Sequence, residues 1–219
     1  MKLPFDPYDF FGYLASGSVV LIGMERVLGF PRVLGTDLKP VDIAALILAT
    51  YIAGHVVAGL ASTFIEDLLV GRILSRPSVN LLRSRRWVRS IFFPSFFTPL
   101  PEPIRQRVLD RAAGEGINGP GESLFLHVRF SAATLANKNL MARMRTFLNG
   151  YGLSRNLSLA FLLVAAAVAV KMRLGHPVPP EMIRDGIIAL VVGLLFLYRF
   201  LKFYRQYAFE MFNVYAGRS

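Results

Sequence analysis

Four stretches of the chain are apolar over enough residues to cross a membrane as helices. They cover residues 10–28, 43–65, 157–170 and 187–201, and the second carries no formal charge. A hydrocarbon core about 30 Å thick needs roughly 17 to 25 helical residues, so the third stretch spans it only if the long side chain of Lys171 extends to the interface. The pattern therefore predicts four transmembrane helices.

Between the second and third apolar stretches the pattern changes. Residues 78–93 alternate leucines and the sole tryptophan with arginines, which is typical of a helix on a membrane surface. The phenylalanine-rich residues 92–97 lie next to prolines and indicate an interfacial or re-entrant turn. Residues 101–116 predict a short helix that starts with prolines and an acid. Residues 123–149 predict one long amphipathic helix, which ends at Gly150 and joins the third span through a glycine-containing hinge.

Positive charge is concentrated in this central part of the chain. Residues 71–156 contain 14 Lys and Arg against four Asp and Glu, which gives +10 of the formal net charge of +11. Because Lys and Arg accumulate on the cytoplasmic side of membrane spans, this segment and both termini are predicted to be cytoplasmic. The sequence thus predicts an all-α integral membrane protein with about four transmembrane helices in two hairpins. Residues 1–70 form the N-terminal hairpin, 71–156 a central basic cytoplasmic helical segment, and 157–219 the C-terminal hairpin with a cytoplasmic tail.

Composition supports the membrane class and narrows the chemistry. The 219 residues are 54% hydrophobic with a mean hydropathy of +0.47, which is high for a soluble domain. The chain has no cysteine and three histidines, so disulfides and cysteine nucleophiles are excluded and we expect neither a metal nor a cofactor. The first ten residues lack the basic start of a cleavable signal peptide, so the first apolar stretch is expected to remain as an anchor.

Polar side chains within the second span fall on one face of a helix with 3.6 residues per turn. This membrane polar stripe consists of Tyr51, His55, Ser62 and Glu66, with Ser18 and Glu25 as its counterparts in the first span. Because an ionisable group inside a membrane needs a partner or water, His55 has three interpretations. It locks the hairpin by a hydrogen bond, it lines a pore or proton relay, or it takes part in catalysis.

No segment carries a specific enzyme signature. Ser62 lies two turns after His55, about 10.5 Å along the helix axis and beyond hydrogen-bond reach, whereas a dyad with Ser16 or Ser18 stays open. The run HVVAG is not a zinc-protease motif, and GEGINGPGES (114–123) is not a phosphate-binding loop. Enzymatic activity is therefore the less favoured interpretation.

Two groups of arginines are candidates for binding anions. The group beside the tryptophan, close after a membrane span, is predicted to bind anionic lipid headgroups. The group farther along the chain is predicted to receive an anionic cytosolic ligand. The first group consists of Arg83, Arg85, Arg86 and Arg89, and the second of Arg105, Arg107, Arg111 and Arg129.

Three short segments carry a resemblance to other proteins. DFFGYLASG (9–17), GHVVAGLASTFIED (54–67) and RMRTFLNGYGLSRN (143–156) make the chain similar to uncharacterised small bacterial polytopic inner-membrane proteins. The resemblance implies a bacterial inner-membrane location and a role as a membrane-acting effector in a stress or phage-defence (antiviral) system. It implies no catalytic residues.

These observations lead to one preferred functional hypothesis. We expect an oligomeric inner-membrane protein that acts as a channel-like or membrane-perturbing effector and is controlled from the cytoplasmic side. Its expected partners are a bilayer with anionic lipids, further copies of the chain or another membrane protein, and an anionic cytosolic ligand. The alternatives are a structural or accessory subunit of a larger membrane complex, and an intramembrane enzyme that uses His55 and Glu66.

Overall fold

The computed structural model describes residues 7–29, 38–83, 93–117, 119, 121–133 and 138–217. Within these ranges the chain is helical and forms no β-strand, so the predicted all-α class is confirmed. The elements are α1 (Pro7–Leu28), α2 (Pro40–Ala61), a π-helical segment (Ser62–Leu74), α3 (Pro77–Leu82), α4 (Glu102–Gly114), α5 (Glu122–Ala133), α6 (Lys138–Arg173) and α7 (Pro180–Ala216).

Four helical stretches are long and apolar enough to cross a membrane, as predicted. They are Phe10–Leu28, Pro40–Leu82, Met144–Arg173 and Pro180–Ala216. Each contains one of the apolar segments read from the sequence. Helix α7 has 37 residues, or about 55 Å at 1.5 Å per residue, so it is longer than a hydrocarbon core.

The second membrane-length stretch changes its helical type part of the way along. After Ala61 the α-helical hydrogen bonds give way to the wider π type over 13 residues, although π-helices usually occur as single turns. The segment ends beside Ser75, which has a φ of +62°. The buried Asn80 side chain donates hydrogen bonds to the carbonyls of Leu74 (3.2 Å) and Ser75 (3.0 Å), which satisfies acceptors at this end.

Two predicted helix ends differ from the structure. Helix α4 confirms the short helix predicted at 101–116, but Gly116, with a φ of +78°, supplies the left-handed turn that was expected of Gly114. The predicted end at Gly150 is wrong, because α6 continues through Gly150 and Gly152 into the third apolar segment. Gly150 lies against the Phe203 ring, so its lack of a side chain serves close packing rather than helix termination.

The chain divides into two compact units, which are described separately. Unit 1 comprises Met1–Leu68 and Gly152–Phe200, and unit 2 comprises Leu69–Tyr151 and Leu201–Ser219. Unit 2 therefore joins the central segment with the C-terminal end of α7, which the sequence-based division had grouped with the C-terminal hairpin.

Unit 1 packs its helices through small residues. A Cβ on Gly17 would overlap the carbonyl of Thr50, and a Cβ on Gly54 would overlap the backbone of Tyr13, so α1 and α2 meet in backbone contact. Ser158 adds a hydrogen bond of 2.9 Å from its hydroxyl to the Gly193 carbonyl, between α6 and α7. Close approach at small residues is the usual packing of helices in lipid.

Unit 2 has a conventional apolar core. Side chains from α3, α4 and α5 and from the end of α7 form one buried cluster, whose largest fully buried members are Leu81, Leu82, Leu124 and Phe212. The turn at residues 94–97 also buries Phe96 and Phe97. Burial of this kind is driven by removal of apolar surface from water.

Candidate functional site

His55 lies in an aromatic cluster in unit 1, which we define as Phe10, Tyr13, Tyr51 and His55. The His55 ring stacks on the Tyr13 ring at a centroid distance of 4.0 Å and meets the edge of the Tyr51 ring at 4.6 Å. Phe10 extends the cluster through Tyr51, at 5.4 Å. Helix α2 supplies Tyr51 and His55 one turn apart, and the contact of α1 at Gly54 brings Tyr13 beside them.

The cluster lies on an exposed face of unit 1. His55 itself is exposed, and its neighbours Ile52 and Val56 expose 55% and 57% of their surface. His55 is near the middle of the apolar residues 43–65, about 18 Å along the helix from Ile43. An ionisable group at this depth normally faces protein or water rather than lipid.

Along the predicted polar stripe, His55 is exposed, whereas Tyr51, Ser62 and Glu66 are half-buried. The π-helical hydrogen bonds begin at Ser62, so the 3.6-residue spacing on which the stripe was based no longer applies to Glu66.

Glu66 forms an ion pair with Arg155. Its carboxylate lies 2.5 Å from the Arg155 guanidinium, and the two side chains are only 25% and 15% exposed. The pair joins the end of the second apolar segment to the start of the third within unit 1. Arg155 also donates to the Asn156 side-chain oxygen at 3.3 Å.

The other polar residues proposed for the membrane have local roles. Ser16 is fully buried, and its hydroxyl donates a hydrogen bond of 3.0 Å to the Gly12 carbonyl in the preceding turn of the same helix. Asp42 accepts the backbone N–H of Lys39 at 3.0 Å and caps α2. Ser18 lines a cavity, and Glu25 is half-buried in α1.

That cavity was not predicted from the sequence. It is a half-open cavity of about 460 Å³, lined by side chains of α1, α6 and α7 within unit 1. At one end an Arg26–Asp185 ion pair of 2.5 Å connects α1 to α7, and Lys171 donates to the Val27 carbonyl at 2.6 Å. The partners in these two contacts are more than 100 positions apart, so no local pattern in the sequence links them.

Unit 2 carries a charged cluster at the edge of its core, which we define as Arg111, Glu115, His127 and the core residue Tyr215. The Glu115 carboxylate accepts hydrogen bonds from Arg111 (3.0 Å) and from the Tyr215 hydroxyl (2.8 Å), and lies 2.5 Å from His127 Nε2. The Arg111 hydrogen bond, followed by those of His127 and Tyr215, lowers the pKa of Glu115 to about 2. The cluster links α4, α5 and the end of α7.

The predicted anion-binding arginines fall in different settings. Arg83 is half-buried at the end of α3, and Arg85, Arg86 and Arg89 lie outside the described residues. In the second group, Arg105 pairs with Glu102 at 2.5 Å and holds the pKa of that carboxyl below its usual value, while Arg111 pairs with Glu115. Arg107 and Arg129 are exposed. Two of these four arginines therefore already have acidic partners.

Nothing in the described ranges brings three or more His, Asp or Glu side chains together as a metal site. The observations define a class: an all-α protein with four helical stretches that are long and apolar enough for a multi-pass membrane protein. Comparison with protein-family models, curated proteins and solved structures finds no match to the chain.

Proposed function

We propose that the chain is a multi-pass membrane protein with two transmembrane hairpins and both termini in the cytoplasm. The order of contacts supports the first hairpin: Tyr13 meets Gly54 and Gly17 meets Thr50, so α1 and α2 run in opposite directions. The excess of Lys and Arg in residues 71–156 supports a cytoplasmic central segment.

The positions of the ion pairs support the placement of unit 1 in a bilayer. Arg26, Lys171 and Asp185 meet where three apolar segments end, and Glu66 meets Arg155 at the opposite ends. Arg155 and Lys171 are 16 residues apart on α6, or about 24 Å, which approaches the thickness of a hydrocarbon core. Charges placed in this way remain at headgroup level while the apolar residues between them face lipid.

The exposed mid-span His55 is the observation that carries the functional proposal. In a bilayer this side chain would face acyl chains if the protein were a monomer, at a considerable desolvation cost. Self-association through the exposed face of α2 gives His55 a protein or water environment. We therefore propose a homo-oligomer in which His55 lines a subunit interface or a water-filled path, as in a channel-like or membrane-perturbing effector.

Control from the cytoplasmic side is part of the same proposal. The basic surface of unit 2, including the exposed Arg107 and Arg129, suits an anionic lipid surface or an anionic cytosolic ligand. The resemblance of three short segments to small bacterial inner-membrane proteins is the basis for proposing a bacterial inner-membrane location and a stress or phage-defence role.

The test combines mass and flux. The mass of the purified protein is measured in nanodiscs. Ion flux is measured after reconstitution into liposomes, for the wild type and for His55→Ala. Gly152→Ala is the matched control, because Gly152 also has open space around it but lies in α6 and not on the exposed face of α2. A homo-oligomer whose flux changes in His55→Ala and not in Gly152→Ala supports the proposal. A monomer without flux contradicts it.

An accessory subunit is the second candidate, because the exposed apolar side chains of α2 fit another membrane protein as well as a second copy. It predicts a monomer that gains mass only with its partner. An enzyme that uses His55 with Glu66 has less support, since Glu66 is held by Arg155 and the described contacts of His55 are aromatic.

A further inference from the structure

The cavity of unit 1 has an apolar body and a polar mouth. Its body is lined by Ile22, Phe161, Val164 and Ile188, with Gly23 and Gly186 at the points where α1 and α7 approach α6. From Ser18 to Arg26 on α1 it extends over eight residues, or about 12 Å. Its volume of about 460 Å³ lies in the range of small-ligand pockets.

Three charged side chains line the mouth. They are Arg26, Asp185 and Glu181. The Arg26 side chain is 68% exposed although it pairs with Asp185, so its remaining N–H groups face outward. Glu181 is exposed in the first turn of α7. The mouth therefore offers a donor group for a phosphate and a carboxylate for a cation, side by side.

Asp185 and Arg26 lie at the ends of apolar segments, so the mouth lies at headgroup level when unit 1 is in a bilayer, and the cavity body extends into the acyl-chain region. A void this large inside a membrane fills with lipid chains, because lining atoms without neighbours lose their dispersion contacts. The charges at the mouth then select the headgroup.

We propose that this cavity is a binding site for phosphatidylethanolamine. One acyl chain occupies the apolar body, the phosphodiester receives hydrogen bonds from Arg26, and the primary ammonium donates to Glu181. This inference requires the membrane placement of unit 1 proposed above, but it does not require self-association.

The mouth also discriminates against the other common headgroups. Phosphatidylcholine carries a quaternary ammonium, which has no N–H to donate to Glu181. Phosphatidylglycerol is anionic and brings no cation for the two carboxylates, so it is repelled. Hydrogen bonds to charged groups are strong enough that losing one corresponds to about a tenfold change in affinity.

The experiment measures lipid binding to the full chain in detergent by native mass spectrometry. The probes are phosphatidylethanolamine, phosphatidylcholine and phosphatidylglycerol with identical acyl chains. The expected result is about tenfold tighter binding of phosphatidylethanolamine than of either other lipid. Equal binding of the three lipids, or a preference for phosphatidylglycerol, would overturn the proposal.

Variants locate the binding site. Glu181→Gln should reduce the binding affinity for phosphatidylethanolamine to that for phosphatidylcholine. Arg26→Gln should lower the affinity for both lipids, and Arg26→Lys should restore it. Ile188→Trp fills the cavity and should weaken all three lipids. Asp110→Asn and Arg145→Gln, at two exposed positions of unit 2 outside the cavity lining, are the charge-matched controls. Thermal unfolding of each variant checks that it is folded.

Each outcome has one meaning. If the preference for phosphatidylethanolamine persists in Glu181→Gln, or is lost equally in Asp110→Asn, the cavity is not the binding site. Because lipid binding is read on each mass-resolved species, a monomer that retains the phosphatidylethanolamine preference would contradict the oligomer proposal and leave the lipid site supported.

Discussion

Each unit contains a histidine in contact with a tyrosine, and the surroundings of the two rings are different. In unit 1, His55 stacks on Tyr13 among exposed apolar side chains. In unit 2, His127 meets the Tyr215 ring edge-on at 6.2 Å and lies against the Glu115 carboxylate. The first ring is held by π-contacts, and the second belongs to a network of charges.

The same contrast extends to the packing of the two units. Unit 1 exposes large apolar residues such as Ile47, Leu48 and Leu195, and joins its helices by backbone contact at glycines and by ion pairs at the helix ends. Unit 2 exposes fewer large apolar residues, among them Phe130 and Leu126, and has a buried apolar cluster with charged groups beside it. In water unit 2 is the ordinary arrangement, whereas the pattern of unit 1 is stable where lipid replaces water. The exposed apolar surface of unit 1 thus agrees with helices that are long and apolar enough to cross a membrane.

The largest effect is expected where unit 1 has no space. Gly54→Ala places a Cβ into the Tyr13 backbone, which cannot rotate away, so the free energy of unfolding should fall by about 3 kcal/mol, near the upper end for overpacking. Gly59→Ala on the same helix has open space and should be neutral, or stabilising by up to about 1 kcal/mol through helix propensity. Equilibrium unfolding in detergent measures both. Equal effects of the two substitutions would remove glycine contact as the basis of α1–α2 packing.

A smaller effect is expected at the ion pair that joins the second and third apolar segments. Glu66→Gln leaves a largely buried Arg155 without its anionic partner, so the loss should be about 1–2 kcal/mol, between the values of exposed and fully buried pairs. A double-mutant cycle with Arg155→Gln isolates the interaction, because Arg155 also contacts Asn156. A coupling energy of zero would show that the two charges act independently.

The sequence was sufficient for the parts of the fold that depend on local pattern. Length and hydrophobicity predicted four membrane-length helices, which the structure has. Local pattern failed where long-range packing decides the outcome. Gly150 was predicted to end a helix, but the helix continues and the Phe203 ring packs against the backbone at Gly150, where there is no side chain.

The candidate sites were less predictable for the same reason. The spacing of His55 within an apolar run was enough to single it out, whereas its stacking on Tyr13 depends on how α1 and α2 meet. The cavity mouth requires Arg26 and Asp185, which are 159 residues apart, and no pattern in one sequence links such positions. The change to a π-helix at Ser62 also altered the face expected for Glu66, and residue spacing alone assumes an α-helix.

The smallest effect is expected in unit 2, as a function of pH. The folded-state pKa of Glu115 is lowered from 4.5 to about 2, chiefly by the Arg111 hydrogen bond. A lowered pKa means that the network stabilises the folded state above pH 4.5 and that this contribution is lost as pH falls toward 2. Wild type should therefore exceed Glu115→Gln in stability above pH 4.5, and the difference should shrink as the pH falls below it.

Variants of the donors sharpen this last prediction and bear on the comparison of the two units. In Arg111→Gln the loss of stability on acidification should begin closer to pH 4.5 than in Tyr215→Phe, because the Arg111 hydrogen bond is the largest cause of the lowered Glu115 pKa. Carbon-13 NMR of the Glu115 carboxyl in detergent follows its titration directly. An unchanged midpoint in Arg111→Gln would mean that another group holds the carboxylate. A shift as expected would show that charges at the surface of unit 2 make part of its free energy of unfolding depend on pH. The backbone contacts between α1 and α2 in unit 1 contain no titrating group, so their contribution should not change with pH.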